Sequence, residues 1–277
     1  MSTSSVHFGP RLVASPTGRL RAVALVRPPS SIERAVPVAG EPNAIYARAL
    51  EQHEVLRKTL AFFDIEVSLC DPAGEDPYEV AAADAAIVFE DGATITRPSV
   101  MSRRGEADRI QAEFARIDVP IAGHIAPPGL FDGGDVLLVG KTAFVGCGAR
   151  GNAIGRSGFG AIARAHGYDV REIALGDATG PLRSVAGAVA RDTIVLAEGK
   201  VDPKAFAGFK TIVLERGEDL AAGVLCLGEH HVLGDVRYRT SLRALRKAGV
   251  TVEAIDLYEF TKLGIPAGML AIDLKRD

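Results

Sequence analysis

The sequence contains only three cysteines, Cys70, Cys147 and Cys226, among its 277 residues. Their odd number and irregular spacing argue against a disulfide framework and are typical of a protein from a reducing compartment. Neither a CxxC nor a CxxH spacing occurs, so no structural metal site is recognisable. We therefore predict a cytoplasmic protein without a bound metal and without a cofactor.

The sequence also has no large excess of charge and no long apolar run. Its formal net charge of -3 gives no basic surface, which argues against a nucleic-acid partner. No apolar run reaches the roughly 18 residues that a membrane span requires, and the first residues do not have the pattern of a signal peptide. Hydrophobic residues at 47% and charged residues at 24% are ordinary for a globular protein. A small molecule is thus the expected partner.

A short apolar strand followed by a helical stretch and a second strand recurs five times along the chain. These copies are predicted at 22–69, 93–121, 143–173, 193–214 and 231–255, with additional strands at 85–89, 136–139, 185–190, 224–227 and 269–274. The pattern is an internal repeat of ββαβ units, and one unit cannot bury its own apolar face, so the units should close on each other. No linker divides the chain, which predicts a single domain over residues 1–277. An ordinary doubly wound α/β domain is the alternative.

The most unusual motif consists of two glycines between two carboxylates, from Asp132 to Asp135, and it leads directly into an apolar strand. Glycines let the backbone approach a neighbouring group closely, and the flanking acid can then be directed at a site. The motif therefore predicts that residues 132–135 form the floor of an active-site pocket. The alternative is that both aspartates only cap a turn by binding neighbouring amides.

Around this motif the chain contains Asp84-Ala-Ala-Ile-Val-Phe-Glu-Asp-Gly-Ala-Thr-Ile-Thr-Arg97-Pro98, Ser102-Arg103-Arg104-Gly-Glu106, Phe131-Asp-Gly-Gly-Asp-Val-Leu137, Phe144-Val-Gly146 and Arg150-Gly-Asn152. These segments carry a resemblance to the dimethylarginine dimethylaminohydrolase family of the guanidino-group-modifying amidinotransferase (pentein) superfamily. The resemblance is dense over residues 84–155, and beyond residue 175 only the layout agrees. It implies an α/β pentein propeller of five ββαβ units with pseudo-fivefold symmetry, and hydrolysis of guanidine or amidine C–N bonds in arginine-type substrates.

The resemblance also implies roles for individual residues. In the family a cysteine thiolate attacks the guanidinium carbon, a histidine moves the proton, and an acid orients that histidine. The orienting acid falls on Asp132 and a guanidinium-binding acid falls on Asp84. The two arginines that hold the α-carboxylate of the substrate fall on Arg97 and Arg150.

The sequence departs from the family at the two reactive positions. The histidine position falls on Pro181, just before Leu182-Arg183-Ser184, and the cysteine position falls on Gly268, just before the last strand. Proline cannot accept a proton and glycine cannot attack, so the family mechanism cannot proceed as written. Two further cation-holding acids of the family fall on Ala83 and near Tyr78.

Other residues could replace the missing pair. Cys147 lies between two glycines and near Arg150, an environment that would favour a thiolate, although a small buried side chain is the alternative. His124 is close in sequence to Asp132 and is the alternative base, unless it is a loop histidine bound by the backbone. The pair His230-His231 is interpreted as part of a turn before a strand, and Arg103-Arg104 with Glu106 as the start of a solvated helix face.

Two classes of function follow. The first is a dimethylargininase-like hydrolase that uses a different nucleophile or an activated water. The second is a pentein without catalysis, a pseudoenzyme, that binds an arginine-like or other amino-acid metabolite between its acids and arginines. A different reaction in the same pocket is a third alternative. Whether the chain forms a homodimer is left open.

Overall fold

The computed structural model of the protein describes residues 8–9, 11–74, 76–176 and 179–277. Within these ranges the strands are β1 (Leu20–Val26), β2 (Glu66–Cys70), β3 (Ala86–Val88), β4 (Ala93–Ile95), β5 (Ile121–His124), β6 (Val136–Val139), β7 (Thr142–Cys147), β8 (Asp169–Ala174), β9 (Ala186–Ala190), β10 (Thr193–Ala197), β11 (Lys210–Leu214), β12 (Leu225–Gly228), β13 (His231–Asp235), β14 (Thr251–Ile255) and β15 (Ala271–Arg276). The α-helices are α1 (Tyr46–Phe62), α2 (Gly105–Arg116), α3 (Ala153–Ala165), α4 (Leu182–Val185), α5 (Arg239–Lys247) and α6 (Tyr258–Thr261).

The described strands form five three-stranded sheets of one design. Their strand orders are β15-β1-β2, β3-β4-β5, β6-β7-β8, β9-β10-β11 and β12-β13-β14. In each sheet the middle strand runs antiparallel to the first and parallel to the third. A parallel pair requires a crossover, which a helix supplies in four units. The predicted ββαβ repeat is therefore confirmed.

The five sheets are arranged around one axis. We refer to the first strand of every unit as its inner strand; the inner strands are β3, β6, β9, β12 and β15. Each of them contributes residues to the wall of a narrow central cavity of about 70 Å³. Neighbouring first strands contact each other, as β6 and β12 do with β9. The α/β pentein propeller implied by the family resemblance is thus confirmed.

Two elements differ from the sequence-based expectation. In the fourth unit, predicted over 193–214, a 3₁₀ turn at Pro203–Phe206 takes the place of the expected helical stretch. Gly208 has a φ of +93°, a left-handed conformation that ends the turn and lets β11 begin at Lys210. The closing strand begins at Ala271 rather than at Met269.

The helices cover the outer faces of the sheets with amphipathic surfaces. In α1 the buried residues Ala49, Leu56 and Leu60 recur at helical spacing and pack into the core beneath the first sheet. The inner and middle strands are buried almost throughout, as β9 and β10 are over their whole length. No helix in the described ranges is long and apolar enough to cross a membrane. The single domain over residues 1–277 stays a prediction.

Candidate active site at the propeller axis

A short helical turn precedes each inner strand. These turns are Ala82–Asp84, Gly133–Asp135, Leu182–Val185, Asp219–Ala222 and Ala267–Met269. Because the inner strands all surround the axis, the turns also meet around the axis, at the amino-terminal ends of these strands. A cavity of about 910 Å³ opens there, and Asp84, Ser184, Leu220 and Met269 are among the residues that line it. We refer to it as the axial cavity.

Two glycines bring the first two of these turns into contact. A Cβ on Gly134 would lie 2.3 Å from Asp84 Oδ1, and a Cβ on Gly133 would lie 2.2 Å from the carbonyl oxygen of Ala83. The Gly134 N–H donates to Asp84 Oδ1 at 3.0 Å. The close backbone approach predicted for this motif is confirmed, and the structure that it approaches is the turn carrying Asp84.

A buried network of acids and arginines lies beneath the axial cavity. Asp84 Oδ2 accepts from Arg103 Nη1 at 2.6 Å and from Arg150 Nη2 at 2.6 Å. The same Nη2 of Arg150 lies 2.8 Å from Asp132 Oδ2. Arg103 is held on its other side by Glu106, through bonds of 2.5 and 2.8 Å. The structure therefore brings together three predicted site residues, Asp84, Asp132 and Arg150.

The network shifts the pKa values of its acids in different directions. Burial alone would raise the pKa of Asp84, but Arg150 and Arg103 hold it below its usual value. Burial raises the pKa of Asp132 to about 6, with the charge of Asp84 adding to the rise and Arg150 opposing it. Asp84 is therefore an anion at neutral pH, and Asp132 titrates closer to neutrality.

Asp135 contacts the segment that follows Pro181. Its Oδ1 accepts from the Leu182 N–H at 2.9 Å, at the start of α4 and directly after Pro181. Burial raises the pKa of Asp135 to about 7. Asp135 therefore positions the segment that carries Pro181 and does not face the cavity itself.

Comparison with known proteins identifies the family. No protein-family model matches the chain. The N(G),N(G)-dimethylarginine dimethylaminohydrolase of Streptomyces coelicolor is 31% identical over 243 residues, which cover 87% of this chain and 92% of the relative. The chain belongs to the dimethylarginine dimethylaminohydrolase family.

Other members and solved structures agree with this assignment. The family member from Pseudomonas aeruginosa is 28% identical over 224 residues, covering 81% of this chain and 87% of the relative. A structure of that enzyme in complex with citrulline superposes with a TM-score of 0.83 at 25% identity, covering 92% and 99% of the two chains. The N-terminal domain of ArgZ, a cyanobacterial arginine dihydrolase, shares the fold at 20% identity, with a TM-score of 0.80 and coverage of 92% and 97%. A guanidino-hydrolase-like protein is thus supported.

Pro181 and Gly268, the positions given to the family's histidine and cysteine, lie differently in the site. Pro181 lines the axial cavity, beside Gly134. Gly268 faces away from it, because a Cβ there would lie 2.5 Å from the carbonyl oxygen of Val224. The neighbouring side chain that does line the cavity is Met269, whose Cε would be 2.9 Å from a Cβ on Gly134.

Arg97 and His124 lie outside the axial cavity. Arg97 Nη1 donates to the carbonyl oxygen of Gly129 at 3.1 Å, and His124 Nε2 pairs with Gln111 Oε1 at 2.6 Å. Both residues line a separate cavity of about 210 Å³. The structure therefore does not bring Arg97 to the same ligand site as Arg150, nor His124 to Asp132.

The pKa values of the three cysteines are raised, whereas the family mechanism requires a thiolate. Burial raises the pKa of Cys70 to about 12 and, with Glu172, that of Cys147 to about 11. Burial also raises the pKa of Cys226. Among the residues that the structure describes, neither a cysteine nor a histidine lines the axial cavity.

The prediction that Arg103 and Glu106 lie on a solvated helix face is wrong. Both are buried, and they support the acid network from behind. The rim of the cavity was also not foreseen. It carries both signs of charge, with Lys200 Nζ 3.0 Å from Asp219 Oδ2. In the sequence, the one sign that Arg103 and Glu106 pair with each other was their spacing of three residues, which brings two side chains together on one face of a helix.

Proposed function

We propose that the axial cavity binds an arginine-like or other amino-acid metabolite and does not support the family's cysteine-dependent hydrolysis. The observation that carries this proposal is the set of side chains around the cavity. The acids and Arg150 form a fully built network, whereas the other side chains that approach Gly134, besides Asp84, are those of Pro181 and Met269. A recognition site is therefore retained without its reactive pair.

The chemistry of these two residues supports the proposal. Proline has no basic atom to take up a proton, and the thioether of methionine cannot ionise to a nucleophile. A positioned acid–base group contributes about 10²–10⁴-fold to a proton-transfer step, so its replacement removes most of that factor. The three thiols of the chain have raised pKa values, which makes them poor substitutes.

The shape and charge of the cavity suit a zwitterion. Its volume of about 910 Å³ falls within the usual range of about 300–1,000 Å³ for small-molecule sites. Lys200 and Asp219 lie on one part of the rim. Arg237 and Glu41 lie on another part, with Arg237 Nη2 3.9 Å from Glu41 Oε1. Opposite charges at the entrance can pair with the amino and carboxylate groups of an amino acid.

The test is a thermal-shift titration with a panel of the amino acids arginine, methylated arginines, citrulline and ornithine, together with agmatine, which lacks the carboxylate. At least one ligand should raise the melting temperature of the wild type. Lys200→Ala should weaken that shift. Lys210→Ala is the matched control, because Lys210 makes an ion pair of the same length, 3.0 Å to Asp192, outside the cavity. A panel without any shift would contradict the proposal.

A second candidate is hydrolysis by a water molecule that a carboxylate activates. The pKa of Asp132, raised to about 6, is near the value at which a general base works best. Asp132 is 1% exposed and does not itself line the cavity, so a water can reach this carboxylate once Arg150 moves. Incubation of concentrated protein with the same panel, followed by an assay for citrulline or another ureido product, tests this candidate. Product that disappears in Asp132→Asn would support it and would contradict a purely binding role.

A further inference from the structure

One nitrogen of Arg150 bridges the two aspartates beneath the cavity. Its Nη2 donates to Asp84 Oδ2 at 2.6 Å and lies 2.8 Å from Asp132 Oδ2 in an ion pair. A free guanidinium ion would make charge-assisted contacts with the same two acids. The difference is that the cation here is part of the chain.

Every carboxylate oxygen of the two aspartates already contacts a group of the protein. Asp84 Oδ1 accepts from the Gly134 N–H and its Oδ2 from Arg103 and Arg150. Asp132 Oδ1 accepts from the Ser99 N–H at 3.0 Å, and its Oδ2 faces Arg150. All four carboxylate oxygens are therefore engaged by groups of the protein.

Exposure shows which member of the network a ligand would meet. Asp84, Asp132 and Arg103 are 0%, 1% and 2% exposed. The side chain of Arg150 is 31% exposed, and Arg150 lines the axial cavity. An entering molecule thus approaches the flank of a cation, with the acids behind it.

We propose that Arg150 fills the guanidinium-binding place of the axial cavity from within the chain and so determines which ligands the cavity accepts. A guanidinium or amidinium group cannot reach Asp84 and Asp132 unless Arg150 leaves. The cavity therefore accepts ligands whose inner end is neutral or anionic. This deepens the proposed function and rests on it only for the view that the cavity holds a metabolite.

The proposal predicts that removal of the Arg150 side chain creates a binding site for free guanidinium. Arg150→Ala leaves Asp84 and Asp132 facing a space that guanidinium fits. Guanidinium chloride, titrated from 0.1 to 20 mM (~100-fold below denaturing amounts), should raise the melting temperature of this variant. At ten times the dissociation constant the apparent folding constant should rise about elevenfold. The wild type should not respond.

Three controls make the result specific. Sodium chloride at equal concentration accounts for ionic strength, and urea supplies a neutral molecule of the same shape. Arg116→Ala removes an arginine from a surface pair, 2.6 Å from Glu113, and should show no rescue. In the double variant Arg150→Ala with Asp132→Asn the response should be lost, because one of the two acids is gone.

Two outcomes overturn the proposal: folded Arg150→Ala that ignores guanidinium, or a wild type that responds as strongly as the variant. If Arg150→Ala does not fold alone, it should refold with guanidinium and not with urea, and failure of that rescue also counts against it. Arg150→Gln, which keeps part of the side chain, repeats the titration. A wild type without any shift in the amino-acid panel would refute the proposed function but leave the guanidinium rescue intact.

Discussion

Replacement of Asp135 by asparagine should stabilise the protein at neutral and alkaline pH. Asp135 is 2% exposed, and its Oδ1 accepts from the Leu182 N–H. Asp135→Asn keeps that acceptor oxygen and nearly the same shape, but it removes the charge. The variant therefore measures by how much ionisation of this buried carboxyl lowers the free energy of unfolding.

The structure gives both the sign and the size of the effect. Burial raises the pKa of Asp135 from its usual 3.8 to about 7. A raised folded-state pKa means that the stabilising contribution is complete below pH 3.8 and is lost as the pH rises through 7. A difference of about 3 pKa units corresponds to about 4 kcal/mol, an upper bound for the gain of Asp135→Asn at pH 8.

Urea unfolding of both proteins at several pH values between 4 and 8.5 measures this gain. Asp132, with a pKa raised to about 6, and His53, with a pKa lowered to about 4 by burial, titrate in the same range in both proteins. Subtracting one plot of unfolding free energy against pH from the other therefore largely removes the contributions of Asp132 and His53. Asp192→Asn, at an exposed aspartate paired with Lys210, is the control and should show no gain. A difference that does not change with pH would refute the reasoning.

Further predictions concern two glycines of the site, Gly134 and Gly268, and one glycine on the surface, Gly158. Gly134→Ala should lower the free energy of unfolding by about 2 kcal/mol or more in urea titrations, because its Cβ would overlap Asp84 Oδ1. Gly158→Ala, at an exposed position of α3 where no described atom lies within 4 Å, should instead raise it by about 0.5–1 kcal/mol. Gly268→Cys should lower the melting temperature, since its Cβ would overlap the Val224 carbonyl, and its thiol should not react with a reagent that enters the axial cavity.

The fold could be predicted because its repeat is encoded locally. Each unit has its own apolar strands and an amphipathic helix or turn, and these signals depend on short stretches of sequence. The motif around Asp132 added the position of the site, since Gly133 and Gly134 are required by a close backbone contact. Family resemblance then supplied the arrangement of the units, which periodicity alone could not.

The details of the site could not be predicted, because they depend on contacts between distant segments. A charged pair such as Arg103 and Glu106 has the same local pattern on a surface and in a core, and only tertiary packing decides its burial. The direction of the Arg150 side chain depends on Asp84, which is 66 residues away in the sequence. A shift of one residue likewise decides that Met269, and not Gly268, lines the cavity.

The pairing of β1 with β15 has a consequence for synthesis of the protein. β1 pairs with β2 on one side, while its other edge pairs with β15, from Leu20 with Arg276 to Leu25 with Ala271. Until residues 271–276 leave the ribosome, that edge of β1 has unpaired backbone groups, which readily recruit other strands. The long connection also makes this pairing slow to form. A chain interrupted before Ala271 should therefore leave that edge of β1 open to pairing with strands of other molecules.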